Sequence, residues 1–141
     1  MKRQIVSLLG VFGLLLVAAC ASAQSLKVTA NVPFGFVVDK AALPAGAYTI
    51  ESISSTASLT LLIRNTDGRI GMMTLPNNAE RLNYSDSTCL VFHRYANQYF
   101  LAQIWVAGNK SGREFKMSRR EVEVASTIQP AQDVIVLASL R

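Results

Sequence analysis

Charge is scarce in this 141-residue chain: Asp, Glu, Lys and Arg make up 16% of it, against roughly 25% in an average soluble domain. Cysteine is scarcer, at two residues, and there is one histidine and one tryptophan. Half of the residues are apolar. Intrinsic disorder needs low hydrophobicity and high net charge and is excluded, as are coiled-coil and collagen-like repeats. A zinc site takes three or four ligands from His, Cys and carboxylates, which this chain undersupplies. Cys89 and His93, four apart, would share one face of a strand, but two ligands do not close a site. No metal and no cofactor is expected. Chemical motifs are missing too: no Gly-x-Ser-x-Gly elbow, Gly-x-Gly-x-x-Gly fingerprint or P-loop occurs, and no pair of acids suggests glycoside hydrolysis. Catalysis is therefore not the leading reading.

What is present begins with a leader. Lys2 and Arg3 precede an apolar run from Ile5 to Ala19, and Ala21-Ser22-Ala23 supplies the small-x-small pattern of signal peptidase, with cleavage before Gln24. The run falls short of the roughly 20 apolar residues of a spanning helix, and no second one follows. Residues 1–23 read as a signal peptide and 24–141 as a single β-rich domain, exported through the Sec pathway to the periplasm or the extracellular space. Val17-Ala18-Ala19-Cys20 offers an alternative, a lipobox in which acylation of Cys20 anchors the protein to an envelope membrane. Cleavage leaves 118 residues and a net charge of +3, because it removes Lys2 and Arg3 and none of the nine acids. That charge makes no case for nucleic-acid binding. Cys89 is then the one remaining thiol. No intramolecular disulfide can form, and the residue reads as a buried structural thiol at the start of an apolar strand.

Short β-type runs separated by turn residues dominate the mature chain. They cover 26–32, 34–38, 47–53, 59–64, 69–75, 89–95, 99–106 and 134–140, with turns at 43–46, 65–68 and 108–112. Within 47–53, Tyr48 and Ile50 share one face and Thr49 and Glu51 the other. The polar stretch 76–88 reads as a surface loop. Ser118-x-x-Glu121 reads as a capping box, the serine capping an amide and the glutamate reaching back. A short helix over 119–126 would follow, turning Val122 and Ala125 inward; a strand is its competitor. Pro130 ends the segment.

The hairpin around 96–98 leaves its facing open. A two-residue turn puts Phe92, Arg94, Tyr99, Leu101 and Trp105 together; a three-residue turn puts Val91, His93 and Tyr95 beside Tyr99, Leu101 and Trp105. His93, Arg94, Tyr95, Tyr99, Gln103 and Trp105 form a candidate ligand-binding cluster for a glycan, peptide or envelope component, with cross-strand packing as the plainer account. Arg113, Lys116, Arg119 and Arg120 are offset by Glu114, Glu121 and Glu123 and read as a solvated helix face.

Three stretches carry a family resemblance: Asn31-Val32-Pro33-Phe34 through Val38 into Leu-Pro-Ala-Gly-Ala-Tyr-Thr-Ile at 43–50; Leu90-Val91-Phe92-His93-Arg94-Tyr95 with Tyr99-Phe100-Leu101-Ala102-Gln103-Ile104-Trp105; and Gly112-Arg113-Glu114 running into Ser118-Arg119-Arg120-Glu121. Together they resemble the small secreted β-rich proteins of unknown function of soil acidobacteria. The resemblance spans nearly the whole mature chain and implies export and a β-rich fold, with no activity attached.

The expected architecture is mainly β: a small antiparallel sandwich or partly open barrel of about seven or eight strands with one short C-terminal helix. Apolar residues on both faces of several strands point to closure of the sheet or to a homotypic contact. The expected role is a non-enzymatic envelope or extracellular binding or structural module, touching membrane only if lipidated at Cys20. The rival is a secreted hydrolase or metal-dependent enzyme with a pocket near His93.

Overall fold

The computed structural model describes residues 25–53, 60–128 and 131–140. The expected leader 1–23, the expected cleavage site at Ala21, Ala23 and Gln24, the alternative lipidation site Cys20, and Pro130 lie outside the described residues.

Side-chain alternation places the strands. In β1 (Lys27–Val32), Val28, Ala30 and Val32 are buried and the residues between them are not. Pro33, which has no backbone donor, ends the strand. β2 (Phe36–Val38) and β3 (Ala41–Leu43) fold back on each other at Asp39, whose φ of 54° lies in the left-handed region. β4 (Gly46–Ser52) buries Tyr48 and Ile50 together, as its period predicts, and the Tyr48 hydroxyl donates to Pro44 O at 2.6 Å. β5 (Leu61–Asn65) and β6 (Gly71–Thr74) form a hairpin. In its turn, Asn65 Oδ1 accepts from the amides of Arg69 and Ile70 at 3.1 and 3.2 Å.

The polar stretch 76–88 is not all loop. Its first part is β7 (Asn77–Glu80), which pairs with β10 (Ser111–Glu114). β7 pairs only with β10 and is largely exposed, so it needs no apolar alternation, and the pattern that reveals inner strands is missing. The remainder is tied to the turn preceding β10, with the Arg81 amide on Lys110 O, the Ser85 amide on Asn109 O and the Gly108 amide on Ser85 O.

β8 (Cys89–Tyr95) pairs along its length with β9 (Gln98–Trp105) on one side and β11 (Gln132–Leu140) on the other. The strand order is β3-β2-β9-β8-β11-β1-β4-β5-β6, with β10 joining β9 to β7. Every pair is antiparallel except β2 with β9. Among the described residues there are eleven strands; those beyond the expected seven or eight are short strands of three or four residues. Phe36 and Leu43, from one end of the order, share a core with Leu61 and Ile63 from near the other. The sheet therefore curls around a single interior into a nearly closed, barrel-like form.

The β8–β9 hairpin turns through two residues, Ala96 and Asn97, with Ala96 at φ 54°. Phe92 then faces Leu101 and Arg94 faces Tyr99, as the two-residue alternative requires. A bulge at Ala102 changes the facing beyond that point, because Val91 pairs with Gln103 and Cys89 with Trp105. Leu101 and Ile104, three apart, both enter the barrel core. Trp105 is moved to the outer face, where it packs with Cys89, Val91 and Ala79. Cys89 is a buried free thiol there.

The helix α1 (Arg119–Thr127) begins at Ser118, whose Oγ accepts from the Glu121 amide. The half of the capping box supplied by serine is therefore present. The face that turns inward is not the expected one: Val122 is 53% exposed and the buried residue is Glu121, 4% exposed. β11 turns Val134, Val136 and Ala138 toward the core and leaves Ile135 and Leu137 exposed on its outer side.

Candidate functional site

Two places gather polar groups with unusual surroundings. The first lies outside the barrel, between β8 and α1. Strand pairing sets Asp133 of β11 directly opposite His93, and α1 brings Glu121 to the same face. The Glu121 carboxylate accepts from His93 Nδ1 at 2.7 Å and from the Tyr95 hydroxyl at 3.2 Å, both at Oε1. An ionised carboxylate can only accept, so Nδ1 carries its proton. Nε2 lies 3.9 Å from Asp133 Oδ1. The hydrogen bond to Glu121 raises the His93 pKa above 6.5; the nearby charges of Glu121, Asp133 and Glu114 add to it, while burial opposes it. Burial pushes the Tyr95 phenol up, and Glu121 adds to that.

A buried carboxylate on Nδ1 of a half-exposed imidazole is the orienting half of an acid–base pair. The ring's two partners, Glu121 and Asp133, are both carboxylates. Among the described residues no three His, Cys, Asp or Glu gather to hold a metal. The arrangement holds a proton and, through it, holds the helix to the sheet.

The six residues of the candidate cluster are divided by the bulge and the strand faces. His93 and Tyr95 lie outside, under α1. Arg94 and Tyr99 lie on the opposite face, where Arg94 Nε donates to Ala96 O and Tyr99 stacks on Phe34 with ring centroids 3.8 Å apart. Gln103 and Trp105 share the outer face near the far end of β9, joined by Trp105 Nε1 donating to Gln103 Oε1 at 2.9 Å. Trp105 is 2% exposed and lies under the Arg81 guanidinium, 3.7 Å from the ring centroid. A stacking platform needs an open ring face, which Trp105 does not present.

The second place is a cavity of about 700 Å³ at one mouth of the barrel. It opens where β9 and β11 end and β1 and β10 begin. Leu26, Ile104, Val106 and Leu140 give it apolar walls, and Arg113 is the charged residue that lines it. Arg113 lies on β10, not on a helix face. Its Nη1 donates to Asn78 Oδ1 at 2.9 Å and to Gly112 O at 3.2 Å. Its Nε is buried and has no hydrogen-bond partner, and among the described residues no carboxylate lies within ion-pair distance of it. The cavity volume falls inside the roughly 300–1,000 Å³ range of small-molecule sites, which favour the mouths of β-barrels.

Sequence reasoning placed Glu121 in a cap and Arg113 on a solvated helix, and did not single out Asp133. Glu121 and His93 are 28 residues apart, and no local pattern marks such a meeting.

The geometry defines a barrel-like β domain with a concave end. Searches of protein-family models, curated proteins and solved structures find no match to the chain.

Proposed function

We propose that this chain is an exported, non-enzymatic binding module of the bacterial envelope or extracellular space, and that its ligand is a small molecule received at the mouth of the barrel. The cavity bounded by β1, β9, β10 and β11 is the observation that carries the binding part of the reading. Support for export comes from the basic, apolar and small-x-small leader, and from the resemblance to small secreted acidobacterial proteins. Against the hydrolase alternative, no sequence motif supplies a nucleophile for His93 to activate.

Both parts can be measured. Intact mass of the protein secreted by an expressing bacterium should correspond to a chain starting at Gln24; a diacylglyceryl adduct on Cys20 would make it a lipid-anchored module instead. NMR titration of that mature chain with a small-molecule library should give shifts centred on Leu26, Ile104 and Val106, abolished in Ser111→Trp, which blocks the mouth. Perturbations centred elsewhere, or none, would remove the binding reading.

A further inference from the structure

We propose that the barrel-mouth cavity binds a small amphipathic monocarboxylate, its head on the Arg113 guanidinium and its apolar tail along Leu26, Val106 and Leu140. The inference rests on the binding reading above and gives that site its ligand class.

Three observations meet at Arg113. Asn78 and the Gly112 carbonyl occupy Nη1 alone, so the edge formed by Nε and Nη2 has no protein partner among the described residues, although Nε is enclosed as the side chain stands. That edge is a planar pair of N–H donors, matched by the two oxygens of a carboxylate. Nε is also buried without an acceptor, an arrangement that folded proteins rarely leave uncorrected. Third, this guanidinium, like most of the basic side chains among the described residues, has no acid partner, and unlike them it lines the cavity. Binding includes a small turn of the side chain toward the cavity, which gives Nε the acceptor it lacks.

The walls select further. Arg113 is the one charged residue among those lining the cavity, so a single negative charge is balanced and a dianion is not. Phosphate monoesters and nucleic acid, which need several cations, are disfavoured. Apolar surface at Leu26, Val106 and Leu140 accepts a hydrocarbon tail, and the volume suits a chain of moderate length.

Calorimetric titration of the mature chain with octanoate, octanol and octyl phosphate tests this, using wild type, Arg113→Gln and Arg113→Lys. Octanoate should bind about tenfold more tightly than octanol, the factor expected of a charge-assisted bidentate contact. Arg113→Gln should lose that advantage, and Arg113→Lys, which keeps the charge without the planar fork, should lose most of it; Arg113→Lys carries the test if Arg113→Gln folds poorly. Equal binding of octanoate and octanol, or full octanoate affinity in Arg113→Gln, would overturn the inference and leave the barrel mouth as a binding site. Preference for octyl phosphate would overturn the carboxylate assignment. Failure of all three probes to bind would overturn the ligand class, while the NMR library titration decides the binding reading separately.

Discussion

Replacing His93 with alanine would leave the Glu121 carboxylate, 4% exposed, with Tyr95 as its remaining side-chain donor at 3.2 Å. Glu121 is the buried residue of α1, so the helix is held to β8 largely by this polar contact. A hydrogen bond to a charged group contributes about 1.5–3 kcal/mol. The His93 side chain is 31% exposed and water can replace part of the lost bond, which places the cost near 2 kcal/mol. The loss should appear as local opening of α1 before global unfolding. Amide exchange at Val122 and Ile128, whose N–H groups bond Ser118 O and Val124 O, should quicken by about 30-fold in His93→Ala. The pH dependence has a definite sign. The folded-state pKa of His93 is raised, so its stabilisation is complete below about pH 6.5 and fades as pH climbs through the higher folded value. Glu121 from α1, Asp133 from β11 and Glu114 from β10 all favour the charged ring, and burial alone opposes it. Wild-type protection of α1, corrected for intrinsic exchange rates, should therefore fall as pH is raised from about 6.5 through the folded-state value while His93→Ala stays flat. Exchange within threefold of wild type, or an equal deficit on both sides of that transition, would refute the reasoning.

Two further substitutions test the packing near the cavity. A Cβ added at Gly112 would lie 2.6 Å from Ile104 O and 2.6 Å from Trp105 Cε3; backbone and indole cannot both yield, so Gly112→Ala should cost about 2–3 kcal/mol, read as a lower urea midpoint with unchanged slope. An unshifted midpoint would show that β10 moves freely. Arg81→Ala should uncover the single tryptophan, red-shifting its emission and costing about 0.5–1 kcal/mol; an unchanged spectrum would mean that other residues shield Trp105.

Much of the barrel was legible residue by residue. Val28, Ala30 and Val32 in β1, and Tyr48 and Ile50 in β4, face inward as a two-residue period demands. Ser118 caps the helix that its spacing announces. β7 was not legible, because a largely exposed strand with one partly buried residue, Ala79, has no apolar alternation to betray it. The basic run was misassigned at Arg113 because its helical neighbours suggested a shared face, while pairing with β9 and β7 holds it in a strand.

By itself the sequence determined what near neighbours decide: strand alternation, turn positions and the helix start, since each depends on contacts within a few residues. Tertiary structure alone decided what depends on register. One extra residue at Ala102 sends Ile104 into the core and Trp105 out of it. It also decided that Glu121, equipped to complete a cap, turns instead to His93 and Tyr95. Likewise, the Arg113 guanidinium comes to line the barrel mouth without an acid partner because separate strands converge there. Such meetings join residues far apart in the chain, and no local propensity encodes which face of a distant strand will arrive opposite.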